Sequence, residues 1–241
     1  MILVAAHAGV ATLTLNCPER GNALSPGLVD ALTGHVKQCI ADATLHTLVL
    51  CGNGRNFCTG LDLSDLVTAS DADFLLRLVR IEELLSLLWQ APIRTVALAS
   101  GRTWGAGADL FVACEHRVAA PDTTFRFPGA QFGIVLGTRR LAERVGSDMA
   151  RRWVLEGAEL DAHQAHSSGL ASGIGDSPDL VGPAVEPATA RLIRHATRAD
   201  MRDADLAALV RSASVPGLQA RIARFRERLL ARNEPRPTHR P

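Results

Sequence analysis

The chain has 241 residues, of which 47% are hydrophobic and 21% charged, the balance of an ordinary globular protein with one domain and a modest extension. Its formal net charge of +1 argues against wholesale nucleic-acid binding, which needs a basic surplus. The absence of tyrosine excludes any mechanism that uses a tyrosine as acid or hydrogen-bond donor. The single lysine, Lys37, leaves Schiff-base chemistry one poorly placed candidate.

The cysteines and the apolar N-terminal run bear on the compartment. Five scattered cysteines without a CxxC pair favour reduced thiols in a cytoplasmic protein over disulfides or a metal site. The run at residues 1–15 has no charged segment before it and is interrupted at His7-Ala8-Gly9, so we interpret it as a hairpin and not as a signal peptide. No stretch of 18 uninterrupted apolar residues occurs, so no membrane span is predicted.

Hydrophobic periodicity predicts alternating strands and helices along the chain. Strands are predicted at 2–5, 10–16, 47–51, 95–99 and 118–120, and helices at 26–42, 74–88, 106–114, 147–156, 161–167 and within 188–232. Ser25 followed by Pro26 indicates one helix start, and Ser70 with Asp73 makes a capping-box pattern at another. Strand, glycine turn and helix in repeated succession predict an α/β fold with short parallel strands.

Two segments share one construction, a buried strand followed by a glycine turn and a helix start. They are residues 47–63 and 95–110. The first N–H groups of a helix lack intrahelical partners and carry partial positive charge. Two such ends that converge would hold a carbonyl oxygen and stabilise the charge it gains on enolisation. On the residues alone, a second interpretation stays open, in which the glycines only permit tight turns.

Other motifs are weak. Gly105-Ala-Gly107 begins a dinucleotide-like pattern, but Leu110 stands where the third glycine belongs. No phosphate-loop G-K-[ST] and no G-x-S-x-G nucleophile elbow occurs. His163 and His166 have no third metal ligand near them, so we interpret them as helix-surface residues and predict no metal site.

Four motifs in register resemble the enoyl-CoA hydratase/isomerase, or crotonase, superfamily. They are NCPERGNALS at 16–25, FCTGLDL at 57–63, GAGADLFVACEHRVAA at 105–120 and FRFPG at 125–129. The resemblance covers residues 2–176 and implies a spiral core of ββα units at 1–188 and a helical C-terminal region at 189–232. The proline- and arginine-rich composition of 233–241 predicts a disordered tail. It implies acyl-CoA thioesters as substrates, a role in fatty acid metabolism, no separate cofactor, and a homotrimer or a hexamer formed as a dimer of trimers.

The same resemblance assigns site residues. The backbone N–H groups of Leu61 and Ala106 match the two donors that bind the thioester carbonyl in an oxyanion hole. Ala23 and Leu24 match positions along the CoA path, together with the backbone of Cys58, Thr59 and Gly60 and with Gly105.

This sequence departs from the family's two-glutamate pattern. Asp109 stands at the first glutamate position and Gly129 at the second. Two interpretations of Asp109 stay open, an acid/base near the thioester α-carbon or a residue that merely caps its helix. Glu83 or Glu143 could replace the acid missing at Gly129.

Four further charged residues lie near these motifs in the sequence. Asp62 is interpreted as structural. Arg126, Arg139 and Arg140 could bring charge to the pocket or be exposed structural residues.

Three hypotheses about function follow from the match and its departures. The first is a hydratase- or isomerase-type enzyme that stabilises a thioester enolate with one retained carboxylate. The second is another reaction on the same platform, namely C–C hydrolysis, decarboxylation or thioester hydrolysis. The third is a non-catalytic acyl-CoA-binding homologue.

The C-terminal region is rich in arginine and carries an apolar stripe. Residues 191–241 contain 12 arginines and 5 acidic residues. A solvated helical face, a subunit interface and a phosphate-facing surface are all compatible with this charge. The arginine-rich helix at 218–232, with Leu218, Ile222, Phe225 and Leu229 on one stripe, could pack on a neighbouring subunit or face the CoA phosphates.

Overall fold

The computed structural model describes residues 1–177 and 184–233 of the chain. The strands are β1 (Ile2–His7), β2 (Val10–Leu15), β3 (Thr47–Gly52), β4 (Arg94–Ala99), β5 (Arg102–Trp104), β6 (His116–Ala119), β7 (Thr124–Arg126), β8 (Glu159–Asp161) and β9 (Gly173–Ile174). The helices are α1 (Pro26–Ala41), α2 (Asp71–Trp89), α3 (Ala106–Ala113), α4 (Thr138–Val145), α5 (Ser147–Glu156), α6 (Ala162–Ser167), α7 (Pro187–Ala196), α8 (Arg202–Ala213) and α9 (Leu218–Asn233).

A hairpin forms one edge of the main sheet. β1 and β2 pair antiparallel, with His7 opposite Val10. The turn residues Ala8 and Gly9 have φ angles of 48° and 76°, the doubly positive geometry that matches the natural twist of paired strands. The predicted hairpin is therefore confirmed.

The main sheet has six strands in the order β1-β2-β3-β4-β6-β9, and every pair after the hairpin is parallel. Parallel neighbours need long crossovers, and α1, α2 and α3 supply them along the chain. β3 and β4 are apolar on both faces because helices cover them, which explains their uninterrupted hydrophobic sequences. The predicted α/β class with short parallel strands is confirmed.

The helix boundaries agree with their sequence signals. The Ser25 side chain accepts a hydrogen bond from the Leu28 N–H at the start of α1, where Pro26 is the first helical residue. Ser70 and Asp73 form both bonds of the predicted capping box at α2. Local side-chain chemistry therefore determines where these two helices begin.

Five elements are absent from the sequence prediction. β5, β7 and β8 form a second, three-stranded sheet, β9 is the last strand of the main sheet, and α4 precedes α5. Each of these four strands has only two or three residues, too few to show a period of two. The predicted strand at 118–120 lies two residues earlier, at His116–Ala119.

The apolar stripe of α9 packs within its own chain. Leu218, Ile222 and Phe225 are buried, and the first two share a cluster with Phe74 and Leu78 of α2. The expectation that these three residues pack on a neighbouring subunit is therefore wrong, because α2 and the loop before α4 cover them. The expectation that the arginine-rich helix faces the CoA phosphates stays a prediction.

The proposed division at residues 188 and 189 remains a prediction. α7 begins at Pro187, close to that boundary, and the expected tail lies outside the described residues apart from Asn233. Across residues 1–177 and 184–233, none of the helices combines the length and apolarity needed to cross a bilayer.

Candidate active site

The first glycine segment leads from β3 to Leu61. Gly60 has a φ of +94°, a conformation that side chains other than glycine adopt rarely. The Leu24 N–H donates to the Gly60 carbonyl at 2.7 Å, and the Asp62 N–H donates to the Leu24 carbonyl at 3.2 Å. The intervening Leu61 N–H donates no hydrogen bond within the described part of the chain.

The second glycine segment ends where α3 begins. Gly105, with a φ of +54°, occupies the N-cap position and Ala106 is the first helical residue. The Ala106 N–H has no acceptor among the described residues, as expected for the first N–H groups of a helix. The positive end of the helix dipole adds to the electropositive character of this point.

The two segments touch. The Trp104 N–H donates to the Cys58 carbonyl at 3.0 Å. A Cβ built on Gly60 would lie 3.4 Å from the Ala106 nitrogen, and one built on Gly107 would lie only 2.2 Å from the Cys58 carbonyl oxygen. Both segments line the same cavity, and each carries a backbone N–H that donates to no described residue.

That cavity has a volume of about 110 Å³ and an apolar wall. One end is formed by Thr59, Gly60, Leu61, Gly105 and Ala106. The remaining wall is hydrophobic apart from Thr138 and Asp109, and it includes Leu63, Leu78, Phe127, Phe132, Ile134, Leu136, Leu141, Val154, Ile222 and Phe225. A long hydrocarbon group matches such a wall better than a polar one does.

Asp109 is the only acidic or basic side chain on this wall among the described residues. It lies in the first turn of α3, one turn after Ala106, and is 6% exposed. Its Oδ1 atom has no hydrogen-bond partner in the described part of the structure. Burial, followed by the charge of Glu82, raises the pKa of Asp109 well above its ordinary value of 3.8, while Arg140 opposes this effect.

Gly129 supplies no second acid, and a side chain at its position would be tightly packed. It lies in the 3₁₀ turn Pro128–Phe132, and its carbonyl accepts a hydrogen bond from the Ile134 N–H at 2.9 Å. A Cβ at Gly129 would lie 3.1 Å from the Ile134 carbonyl oxygen. A side chain at Gly129 would therefore require the Ile134 backbone to shift by a few tenths of an ångström.

Neither of the two candidate substitute acids reaches the cavity. Glu83 lines a separate surface groove, and Glu143 pairs with Arg139 near the surface. The expectation that one of them replaces the missing acid is therefore wrong. Both side chains are exposed, that of Glu143 by 43%.

Other predicted site residues lie around the cavity without lining it. Ala23 and Leu24 flank the Gly60–Leu61 backbone, and Cys58 is buried behind it. Burial raises the pKa of the Cys58 thiol to about 12, which makes it a poor nucleophile. Asp62 pairs with Arg20 at 3.1 Å and accepts the Ser64 N–H, in agreement with a structural role.

The three arginines suggested for the pocket serve elsewhere. Arg126 stacks on the Trp104 ring at 5.2 Å. Arg139 and Arg140 bind carboxylates on α2 and α8. No positive side chain of the described residues therefore faces the acyl-sized cavity.

The sequence prediction did not assign the cavity wall to its particular residues. Leu78 of α2, Ile134 of the loop and Ile222 with Phe225 of α9 come from distant parts of the chain. The apolar stripe of α9 was visible, but nothing local indicates which surface a stripe covers. His163 and His166 are exposed on α6, and the described residues contain no cluster of three or more potential metal ligands.

Comparison with known proteins places the chain in a family. The model of the enoyl-CoA hydratase/isomerase family matches residues 5–228. The probable enoyl-CoA hydratase EchA6 of Mycobacterium tuberculosis is 36% identical over 205 residues, which cover 82% of this chain and 81% of the relative. The 2,3-dehydroadipyl-CoA hydratase of Escherichia coli is 32% identical over 246 aligned positions, covering 98% of this chain and 92% of that protein.

Solved structures agree with this match. A Bordetella parapertussis protein, provisionally described as an enoyl-CoA hydratase/isomerase, superposes with a TM-score of 0.89 at 41% identity, covering 93% of this chain and 97% of the other. The chain therefore belongs to the enoyl-CoA hydratase/isomerase family, the crotonase-type enzymes, and has their fold.

Proposed function

We propose that this protein acts on an acyl-CoA thioester whose carbonyl oxygen accepts hydrogen bonds from the Leu61 and Ala106 N–H groups. Two unused donors beside a helix start are suited to the negative charge that the oxygen gains when an enolate forms. The CoA portion would pass Ala23 and Leu24 and the backbone of Cys58, Thr59, Gly60 and Gly105, which surround the donors. The acyl group would occupy the apolar cavity.

The reaction we propose is the migration of a carbon–carbon double bond between the β,γ and α,β positions. The Asp109 carboxylate takes a proton from the α-carbon, the oxyanion hole holds the resulting dienolate, and the same carboxyl group returns the proton to the γ-carbon. One acid suffices for this sequence, and no atom is gained or lost. A carboxyl group with a raised pKa is also the stronger base toward a carbon acid.

Hydration is less well supported because it needs a water molecule held and deprotonated while the α-carbon is protonated. Asp109 is the single ionisable side chain on the cavity wall among the described residues, and this observation carries the proposal. The position of the second family acid is glycine, and the Ile134 backbone fills the neighbouring space.

The test is a comparison of 3-enoyl-CoA and 2-enoyl-CoA substrates of six to ten carbons, run in D₂O and followed by mass spectrometry. We expect conversion of the 3-enoyl to the 2-enoyl thioester, with deuterium gained at the γ-carbon only to the extent that the Asp109 carboxyl proton exchanges with solvent before it is returned. Accumulation of 3-hydroxyacyl-CoA as the main product would contradict isomerisation and would show that the protein hydrates the double bond. Tight binding without any product or deuterium gain would instead make the protein a non-catalytic acyl-CoA binder.

The apolar wall also predicts which acyl groups are accepted. A terminal carboxylate would be buried without a cationic partner, since no basic side chain lines the cavity among the described residues. We expect adipoyl-CoA to bind at least about 100-fold more weakly than hexanoyl-CoA, measured by calorimetry with these two saturated ligands. Equal affinities would contradict the prediction and would fit the dicarboxylic acyl group in the name of the Escherichia coli relative.

A further inference from the structure

The start of α4 packs directly on the Asp109 carboxyl group. Gly137 is the N-cap of α4 and has a φ of +65°. A Cβ at this position would lie 2.2 Å from Oδ1 of Asp109 and 3.1 Å from its Cβ, so only glycine allows this contact. The location of the first turn of α4 therefore determines how the Asp109 side chain lies in the cavity.

A buried ion pair ties that first turn to α2. Arg140 of α4 and Glu82 of α2 are each 1% exposed. The Arg140 guanidinium donates to both Glu82 carboxylate oxygens, at 3.0 and 2.6 Å. Ser86 accepts a further bond from Arg140 at 2.7 Å and donates to Glu82 at 3.0 Å. Bidentate geometry of this kind is both strong and directional.

A second contact ties the same turn to α8. Asp205 of α8 lies 3.1 Å from the Arg140 guanidinium. Arg139 donates to both carboxylate oxygens of Asp205, at 2.8 and 2.7 Å. The turn that touches Asp109 is thus held from both sides by a cluster of two arginines and two acids.

The charges of this cluster also act on Asp109. The charged groups that influence it are Glu82 on α2, which disfavours a second negative charge, and Arg140 on α4, which favours it. Among the described residues, β4 and β5, the other elements packed on α3, contribute no charged group to this balance. Because the site is buried, neither influence is screened as it would be at the surface.

We propose that Glu82 and Arg140 are positioning residues for the proton transfer: their ion pair fixes the turn of α4 that packs on Asp109, and their two buried charges act in opposite directions on the Asp109 proton. This inference rests on the proposed role of Asp109, but it concerns the proton on that residue and not the turnover. Glu82 and Arg140 touch neither the cavity nor its contents, so they act only through Asp109.

The test is a pH titration of the Asp109 carboxyl carbon by NMR, with ¹³C-labelled aspartate and the signal assigned by Asp109→Asn. We expect Glu82→Gln to make Asp109 at least about tenfold easier to deprotonate, because a like charge is removed. Arg140→Gln should make it harder to deprotonate by a similar factor. Opposite shifts distinguish charge control from a merely structural role, which would move both variants in the same direction.

Glu83→Gln is the matched control, since Glu83 is adjacent on α2 but its side chain is exposed. We expect its titration to stay within about twofold of the parent. If a single variant does not fold because its buried partner is left unpaired, the double variant Glu82→Gln/Arg140→Gln removes both charges. Its Asp109 should deprotonate more easily than in the parent, since Glu82 is the stronger influence.

An unchanged Asp109 titration in the folded variants, or shifts of the same sign in both single variants, would overturn the inference. The titration does not depend on turnover. An Asp109→Asn protein with full activity would therefore refute the proposed function. The influence of Glu82 and Arg140 on the Asp109 proton would still be decided by the titration.

Discussion

Gly107→Ala is expected to separate the two glycine segments and abolish acyl-CoA binding. A Cβ at Gly107 would lie 2.2 Å from the carbonyl oxygen of Cys58 and 2.8 Å from its carbonyl carbon. Both are backbone atoms in the buried core, so no rotamer change can relieve the overlap. Helix α3 must move away from the Cys58–Leu61 segment, and the Leu61 and Ala106 N–H groups must move apart.

The expected loss in the free energy of unfolding is about 2–4 kcal/mol, the range of severe overpacking. Urea denaturation measures it, and calorimetry with hexanoyl-CoA measures the binding. Gly34→Ala is the matched control, because Gly34 lies within α1 and a Cβ there meets no atom within 4 Å. That variant should keep its binding and gain up to about 1 kcal/mol from the higher helix propensity of alanine. A Gly107→Ala protein with unchanged stability and binding would refute the close packing of the two segments.

Asp109→Asn is expected to lower the rate of double-bond migration by about 10²- to 10⁴-fold while acyl-CoA binding stays within a few-fold of the parent. The amide has nearly the same shape as the carboxyl group, but it neither accepts nor returns a proton. The parent rate should rise with pH, because the reaction begins from the carboxylate and the pKa of Asp109 lies well above 3.8. The residual rate of the variant should lose this dependence.

Asp148→Asn is a suitable control for the rate, since Asp148 also lies in the first turn of a helix but its side chain is 98% exposed. Its rate and pH profile should match those of the parent. Full activity in the Asp109→Asn protein would show that Asp109 only occupies the end of its helix, as the alternative interpretation has it.

Asp109 should also make the folded state less stable as pH rises. Its pKa is raised in the folded protein, so folded molecules retain a proton that unfolded chains release. Stability from this group is therefore complete below the unfolded pKa and declines as pH increases toward the folded pKa, by about 1.4 kcal/mol for each unit by which the two values differ. Urea unfolding at several pH values should show a smaller decline in Asp109→Asn than in the parent, and parallel curves would contradict the raised pKa.

Local sequence determines two helix starts, the buried strands and the glycine turns of this protein. Ser25-Pro26 and the Ser70–Asp73 capping box set two helix starts, and apolar sequences of five or six residues set the buried strands, because each depends on neighbours in the chain. The glycines at 60 and 105 marked the two turns, and the four motifs identified the family. These features are local, so one sequence suffices to recognise them.

The tertiary structure alone decided what surrounds Asp109. The cavity wall joins Leu78, Ile134 and Phe225 across more than 140 residues of chain, and a local pattern does not indicate which apolar surfaces meet. Whether Asp109 caps a helix or is buried against Gly137 depends on where α4 lies. The position of α4 depends in turn on the pairing of Arg140 with Glu82, 58 residues away. Proton affinity and cavity shape are set by such long-range contacts, and for this reason the sequence located the two glycine segments but left the acid/base chemistry open.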